Sequence, residues 1–183
     1  MSVNYTNENL AYHAARLLIV IAFCGRPRSS QRLPGIEGRT LLAKLDFFLR
    51  YPGYLRRAAT ILKRNLTDEE LGLSQEYELR SVESRMVRYL YGPWDHIYYQ
   101  ALAYLIGKQL IVVERQGGTE IFRLMSAGQE VAEQLAHDPA YTDLVRRAES
   151  AYRLFNKYSG TGLKDFIYQN FPEVVNRRIG ESI

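Results

Sequence analysis

The strongest constraint on the fold is a succession of alternating and helical patterns in the middle of the chain. RMVRYLYG alternates with the period of two that a strand requires. WDHIYYQALAYLIG then spaces its apolar residues as a helix does, and LIVVE and EIFRL are β-rich segments joined by RQGGT. The paired glycines can adopt the positive φ angles of a tight hairpin. The order strand, helix, hairpin, helix predicts a winged-helix core at residues 82–136, with its wing at residues 116–119.

The stretch YGPWDH forms the corner between the predicted strand and the helix that follows it. We expect the strand to end at Tyr91 and Gly92 with Pro93 to make the turn. Trp94 then packs at the corner, and Asp95 starts the helix, where the helix dipole favours a carboxylate.

Three further signals predict how helices begin and end. Gly107 is placed to close the helix before the hairpin in a left-handed conformation. Ser126 and Gln129 have the spacing of a capping box at the start of the helix after the hairpin. Asp138, followed by proline, predicts the N-cap of the next helix.

Helical patterns continue on both sides of this core. Residues 10–23 read as a largely buried helix, residues 40–51 as an apolar helix that Pro52 ends, and residues 53–65 as a basic helix. Residues 24–39 read as a long basic loop. The chain is therefore predicted to be α+β and mostly α.

Three regions follow from these patterns. They are an N-terminal helical region at residues 1–81, the winged-helix core at 82–136, and a C-terminal helical extension, a helical hairpin, at 137–183. We expect them to form one compact unit, since 183 residues suit a single domain with a proper core.

Composition suggests a cytoplasmic protein. The single cysteine, Cys24, cannot form an intramolecular disulfide and is expected to be a small buried hydrophobe. No apolar run approaches the roughly 20 residues that a membrane span needs. The N-terminal residues show no basic-then-apolar signal pattern.

The titratable residues point away from catalysis, metals and cofactors. The three histidines lack the spacing of a metal site, and no phosphate-binding glycine loop is present. Asp95 and His96 are adjacent, so their side chains diverge by about 100° on a helix. An enzyme that uses this pair remains an alternative hypothesis. Asp46 is expected at the surface, paired with Arg50 one turn later.

The helix before the hairpin is expected to present tyrosines to solvent. Tyr98, Tyr99 and Tyr104 are the candidate partner-binding residues, because an exposed tyrosine is a good anchor for another protein. This helix carries little charge and is a poor surface for reading bases. It therefore favours protein contact over DNA contact.

Basic residues elsewhere are candidates for phosphate contact, and the formal net charge of +4 is compatible with it. The candidates lie in the basic loop, in the third helix and around the hairpin: Arg26, Arg28, Arg32, Arg56, Arg57, Lys63, Arg64, Lys108 and Arg115. They keep open the alternative of a free-standing winged-helix DNA-binding transcriptional regulator.

Several stretches together resemble one protein family. They are GRTLLAKLDFFLRYPGYLRRA, RYLYGPWDHIYYQALAYLIGKQLIVVE, FRLMSAGQEVAEQL and YSGTGLKDFIYQNFPEV. This pattern is similar to that of the middle components of ABC-three-component systems, the Lamassu type of bacterial defence. The resemblance covers residues 10–175, with residues 67–84 unmatched. It is a fold signature, so it assigns no individual functional residue.

The resemblance implies a non-enzymatic winged-helix accessory subunit. Such a subunit would bridge an SMC-like ATPase and an effector nuclease in anti-phage or anti-plasmid defence. DNA contact would occur mainly through the complex.

Overall fold

The structure is a computed structural model that describes residues 3–27, 33–73 and 85–183, with side chains of the first helix from Leu10 onward. The helices are α1 (Val3–Cys24), α2 (Arg39–Arg50), α3 (Pro52–Ile61), α4 (Ile97–Gly107), α5 (Ser126–His137), α6 (Thr142–Phe155), α7 (Gly160–Asn170) and α8 (Pro172–Val175), with a 3-10 helix at Pro139–Tyr141. The strands are β1 (Gly35–Glu37), β2 (Val87–Tyr89), β3 (Gly92–Trp94), β4 (Ile111–Gln116) and β5 (Thr119–Leu124). The prediction of an α+β, mostly α fold is confirmed.

The first helix lies at the centre of the described chain. α1 contacts α2, α4, α5 and α6. Leu17, Leu18 and the three residues after them are at most 1% exposed. Such a helix is apolar on nearly all sides because neighbours cover nearly all of it. The prediction of a largely buried first helix is confirmed.

The predicted hairpin of β4 and β5 is present, but the sheet that contains it has a third strand that was not predicted. Gly117 and Gly118 have φ angles of 54° and 81°, as a tight turn between β4 and β5 requires. The sheet has the order β1-β5-β4, and its third strand, β1, lies inside the segment predicted to be a loop. Ile36 is 2% exposed, so this short strand buries an apolar side chain and also satisfies the open edge of β5.

The predicted strand before α4 pairs differently from a winged-helix strand. β2 ends at Tyr89 and pairs with β3, so the turn falls at residues 90 and 91 and not at Gly92 and Pro93. Gly92 has a φ of 115° and begins the returning strand. On its other edge β2 pairs with the residues around Ser182. The winged-helix core at residues 82–136 is therefore not confirmed.

Two of the three predicted helix boundaries are wrong. α4 is followed by Gln109 in the left-handed conformation, with a φ of 57°, so Gly107 is still helical. α5 has Met125 as its N-cap without a side-chain hydrogen bond, and Gln129 donates to Glu133, so no capping box forms. Asp138 does act as an N-cap, of the 3-10 helix that precedes α6.

Candidate protein-interaction surface

The tip of the β2–β3 hairpin carries large apolar side chains in solvent. Tyr89, Leu90 and Tyr91 are 38%, 54% and 61% exposed. Side chains in a two-residue turn have few neighbours in the folded chain. Packing within the protein therefore does not account for the presence of three large apolar residues here. This site is not among those predicted from the sequence, although three consecutive large apolar residues directly before a Gly-Pro pair are a usable signal for it.

Trp94 connects this tip to α4. Its side chain is buried, and its ring centroid lies 6.1 Å from that of Tyr89, 5.1 Å from Tyr98 and 5.9 Å from Tyr99. The prediction that Trp94 packs at the corner is confirmed. We call the exposed residues Tyr89, Leu90, Tyr91 and Tyr99, together with the buried Trp94 that supports them, the aromatic surface.

The three tyrosines predicted to bind a partner lie in three different environments. Tyr99 is 54% exposed and has the guanidinium of Arg39 at 5.5 Å from its ring centroid. Tyr104 is exposed, but five residues along a helix place it about 140° around α4 from Tyr99. The expectation that Tyr98 is exposed is wrong, because it lies on the face of α4 that α1 covers. The three tyrosines do not form one site.

Asp95 fixes the corner by hydrogen bonds on both carboxylate oxygens. Its Oδ1 accepts from the backbone N–H of Ile97 at 3.0 Å, and its Oδ2 accepts from Nη1 of Arg50 at 2.8 Å. The predicted role of Asp95 at the start of the helix is confirmed. His96 is exposed and meets the ring of Tyr89 edge-on. Among the residues described, no hydrogen bond joins Asp95 to His96.

A buried ionic cluster lies beneath α4. Asp46 accepts from Nε of Arg16 at 2.7 Å and from the hydroxyl of Tyr98 at 2.7 Å, and Nη1 of Arg50 is 3.8 Å away. Asp46 is fully buried, so the expected surface position is wrong. Its helical neighbour Arg50 is indeed a partner, but Arg16, from the preceding helix, makes the shorter contact. The cluster joins α1, α2 and α4.

Two pKa shifts follow from this cluster. Burial alone would raise the pKa of Asp46, but the charges of Arg16 and Arg50, with the hydrogen bonds from Arg16 and Tyr98, lower it below its ordinary value. Burial, followed by the charge of Asp46, raises the pKa of Tyr98 well above its ordinary value. Asp46 is therefore ionised and Tyr98 is a neutral donor at neutral pH.

His13 makes the stability of the fold depend on pH. Burial, then the charges of Arg16 and Arg50, lowers its pKa to about 4, although Asp95 and Asp46 act in the opposite direction. The unfolded chain binds this proton near pH 6.5 and the folded chain only near pH 4, so acid favours the unfolded state between them. We expect His13 to cost roughly 3 kcal/mol of unfolding free energy as the pH falls from about 7 to about 4.

Urea unfolding across this pH range tests the role of His13. The His13→Phe variant is expected to lose less stability on acidification than the parent protein, while His137→Phe, at an exposed histidine, behaves as the parent does. Equal acid sensitivity in the parent and in His13→Phe would contradict the assignment.

The candidate phosphate-contacting residues are scattered, and several already have partners. Three of the arginines have carboxylate partners: Arg56 pairs with Asp68 at 2.6 Å, Arg57 with Glu173, and Arg115 with Glu120 at 3.9 Å. Arg26 donates a hydrogen bond to the backbone carbonyl of Tyr158. Lys63, Arg64 and Lys108 are exposed, and Arg28 and Arg32 lie outside the described residues. Carboxylate partners reduce the positive potential that these side chains offer to phosphate.

A cleft of about 460 Å³ lies between β1 and the first turns of α2 and α7. The two arginines among its described lining residues are engaged elsewhere. Arg26 donates to the carbonyl of Tyr158, while Arg123 donates to the carbonyl of Leu33 and pairs with Glu114 at 3.0 Å. We assign no ligand to this cleft.

Cys24 is buried at the inner side of this cleft and its Sγ donates to the Ala148 carbonyl at 3.2 Å. Burial raises the pKa of its thiol, which keeps it protonated. The expectation of a buried, small apolar residue is confirmed. Within the described ranges, no three His, Cys, Asp or Glu side chains converge on a possible metal site. Nor is any described helix long and apolar enough to span a membrane.

Comparisons with known proteins add no relative. No family model matches the chain, and neither a curated protein nor a solved structure is significantly similar to it.

Proposed function

We propose that this chain is a non-enzymatic accessory subunit that bridges an SMC-like ATPase and an effector nuclease in bacterial anti-phage or anti-plasmid defence. It works in the cytoplasm, as part of a complex, and meets DNA mainly through that complex. The observation that carries the proposal is the aromatic surface. The resemblance to the middle components of Lamassu-type systems supplies the identity of the partners.

The aromatic surface has the properties of a protein-binding site. Aromatic residues dominate the binding energy of protein interfaces, especially when they lose little conformational freedom on binding. Tyr89 and Tyr99 both rest on the buried ring of Trp94. Asp95 anchors the same corner to Arg50. The surface is therefore presented on a rigid support, which lowers the entropic cost of binding.

The alternative function is sequence-specific DNA binding by a winged-helix unit. The position of β1 supports it, because winged-helix units pair the strand between their first two helices with the wing hairpin. β1 lies between α1 and α2 and pairs with β5. α4 would then be the DNA-reading helix, but its exposed side offers Tyr99, Gln100 and Tyr104 and no arginine. We therefore favour the protein-binding function.

Co-expression with an SMC-like ATPase encoded beside this chain tests the proposal. We expect the two proteins to elute together in size-exclusion chromatography. A Tyr91→Ala, Tyr99→Ala double variant is expected to weaken the complex at least about tenfold, since interface aromatics are often worth about 2 kcal/mol each. The matched control is Ile61→Ala, which truncates a similarly exposed side chain on α3.

Separate elution of the two wild-type proteins would overturn the proposed function. Sequence-dependent binding to the promoter of its own gene, with a steep dependence on salt, would establish the alternative. Tyr104 remains a predicted contact, and Tyr104→Ala in the same assay shows whether the partner also covers its side of α4.

A further inference from the structure

The β2–β3 hairpin, which carries most of the aromatic surface, is supported on its second edge by residues from far along the chain. We propose that residues 180–183, which we call the edge segment, position this hairpin for the partner, so that detachment of the segment weakens binding at the aromatic surface. This inference rests on the proposed function and identifies what holds the binding surface in place.

β2 lies between β3 and the edge segment. Val87 and Ser182 face each other in an antiparallel bridge. The backbone N–H of Arg88 donates to the carbonyl of Glu181 at 2.8 Å, and the carbonyl of Arg88 accepts from the N–H of Gly180 at 2.7 Å. The segment therefore holds both backbone groups of the residue directly before the exposed tip.

Tyr51 ties the edge segment and β2 together at the end of α2. Its hydroxyl accepts from the backbone N–H of Met86 at 2.9 Å and donates to the carbonyl of Ile183 at 3.4 Å. The N–H of Ile183 also donates to the carbonyl of Met86 at 2.8 Å. The side chain of Ile183 packs half-buried against the core, while residues 180–182 are exposed. Ile183 is therefore the residue whose side chain attaches the segment to the core.

The hairpin needs this support because it is short. β2 and β3 have three residues each, and a two-stranded hairpin of this length is marginally stable in water by itself. A third strand pairs the backbone groups on the second edge of β2. It thereby restricts the positions of Tyr89, Leu90 and Tyr91, which lowers the entropic cost of binding a partner.

Other supports of the hairpin act at β3 and through side chains. β3 contacts α2, α7 and α8. The hydroxyl of Tyr168 donates to the carbonyl of Leu90 at 3.3 Å, and Nε of Arg88 donates to the carbonyl of Val175 at 3.3 Å. Without the edge segment, β2 would keep these side-chain contacts and its pairing with β3 but would lose the backbone hydrogen bonds on its second edge.

The edge segment can detach without unfolding the core. Residues 176–182 are exposed, and the chain returns to β2 through a turn at Gly180, whose φ is 87°. A segment with few buried contacts opens at a lower free energy than the global unfolding of the protein. Its effect on the hairpin can therefore be measured in a protein that remains folded.

The fluorescence of Trp94 reports on the hairpin directly, because it is the one tryptophan in the chain and ends β3 opposite Val87. Ile183→Asp places a charge where the segment meets the core. We expect acrylamide to quench Trp94 at least about twofold more strongly in this variant, with an unchanged far-UV circular dichroism spectrum. Affinity for the SMC-like ATPase is expected to fall at least about fivefold.

Two further variants accompany Ile183→Asp. Ile179→Asp makes the same change at an exposed isoleucine just outside the edge segment and is expected to leave both measurements unchanged. Tyr51→Phe removes only the hydroxyl that joins the segment to β2, and it is expected to act in the same direction as Ile183→Asp.

An engineered disulfide tests whether the position of the segment is what matters. Val87 and Ser182 are an antiparallel pair that lies between two backbone hydrogen bonds. The Cα atoms of such a pair are about 4.5 Å apart, within the range of a disulfide. When Val87→Cys and Ser182→Cys are added to Ile183→Asp, oxidation is expected to restore the protection of Trp94 and the ATPase affinity to within about twofold of the parent values. Dithiothreitol is expected to abolish the rescue, and the native Cys24 is buried.

Several results would overturn the positioning role. One is equal quenching of Trp94 in the parent and in Ile183→Asp, or in Ile179→Asp and Ile183→Asp. Another is weak ATPase binding by Ile183→Asp that persists after the disulfide has formed, since Ile183 would then contact the partner itself. Weaker binding by the oxidised Val87→Cys, Ser182→Cys protein would show that a strand of the partner replaces the segment.

The outcomes also separate this inference from the proposed function. If the ATPase co-elutes equally well with the wild type and with Ile183→Asp, the proposed function stands and the positioning role is wrong. If the ATPase never co-elutes but the quenching and its rescue by the disulfide occur as expected, the edge segment holds the hairpin and the proposed function is wrong.

Discussion

Replacing Asp46 with alanine is expected to lower the free energy of unfolding by about 3–5 kcal/mol. The substitution leaves the guanidinium of Arg16 buried without the carboxylate that now accepts from its Nε at 2.7 Å. It also removes the acceptor of the Tyr98 hydroxyl in the same interior. An unfolding-midpoint decrease of roughly 6–20 °C corresponds to this loss in a chain of this size.

Thermal and urea unfolding measure the effect, with Asp68→Ala as the matched control. Asp68 also pairs with an arginine, but both side chains are largely exposed, so its loss is expected to cost less than about 1 kcal/mol. An Arg16→Met, Asp46→Leu double variant is expected to be more stable than Asp46→Ala, because it removes the buried charge of Arg16 together with the carboxylate that neutralises it. Similar small losses for Asp46→Ala and Asp68→Ala would contradict the buried cluster.

Replacing Gly128 with alanine is expected to lower the free energy of unfolding by about 3 kcal/mol or more. A Cβ atom at Gly128 would lie 1.9 Å from the carbonyl oxygen of Leu110, which is backbone and cannot rotate away. That carbonyl also accepts the N–H of Met125 at 3.0 Å. α5 would have to move away from the loop between α4 and β4, which breaks this hydrogen bond.

Gly53→Ala is the matched control for Gly128→Ala. Both glycines lie in the first turn of a helix, but a Cβ at Gly53 meets nothing within 4 Å. Alanine at Gly53 is therefore expected to stabilise the protein by up to about 1 kcal/mol through its better helix propensity. If the two variants shifted the urea midpoint in the same direction, the close contact at Gly128 would not be present.

The elements that the sequence predicted correctly are those with local signals. The β4–β5 hairpin follows from two β-rich segments and paired glycines, which act within a few residues. α1 and α2 follow from apolar residues at helical spacing. The positions of Trp94 and Asp95 at the helix corner are also predicted correctly. The carboxylate accepts a backbone N–H of the first turn, and the ring packs against the same turn, so both roles involve only neighbouring residues.

The errors concern contacts between residues far apart in the chain. β1 has three residues in a glycine- and proline-containing segment, and it becomes a strand because β5 offers it an open edge. The predicted turn at Gly92 and Pro93 is wrong, because Gly92 begins a strand that pairs with the strand ending at Tyr89. Strand pairing depends on which edges meet in the folded chain, and composition does not encode that directly.

By itself, the sequence determined an α+β, mostly α chain with a tight hairpin and an aromatic corner, because periodicity and turn chemistry act over a few residues. Only the tertiary structure decided which side chains at that corner face solvent. Asp46 is buried because Arg16, thirty residues before it, supplies the opposite charge that makes a buried carboxylate tolerable, and the hydroxyl of Tyr98 donates to the same carboxylate. Tyr99, next to Tyr98, faces outward and is left for a partner, because α1 covers one side of α4 and not the other.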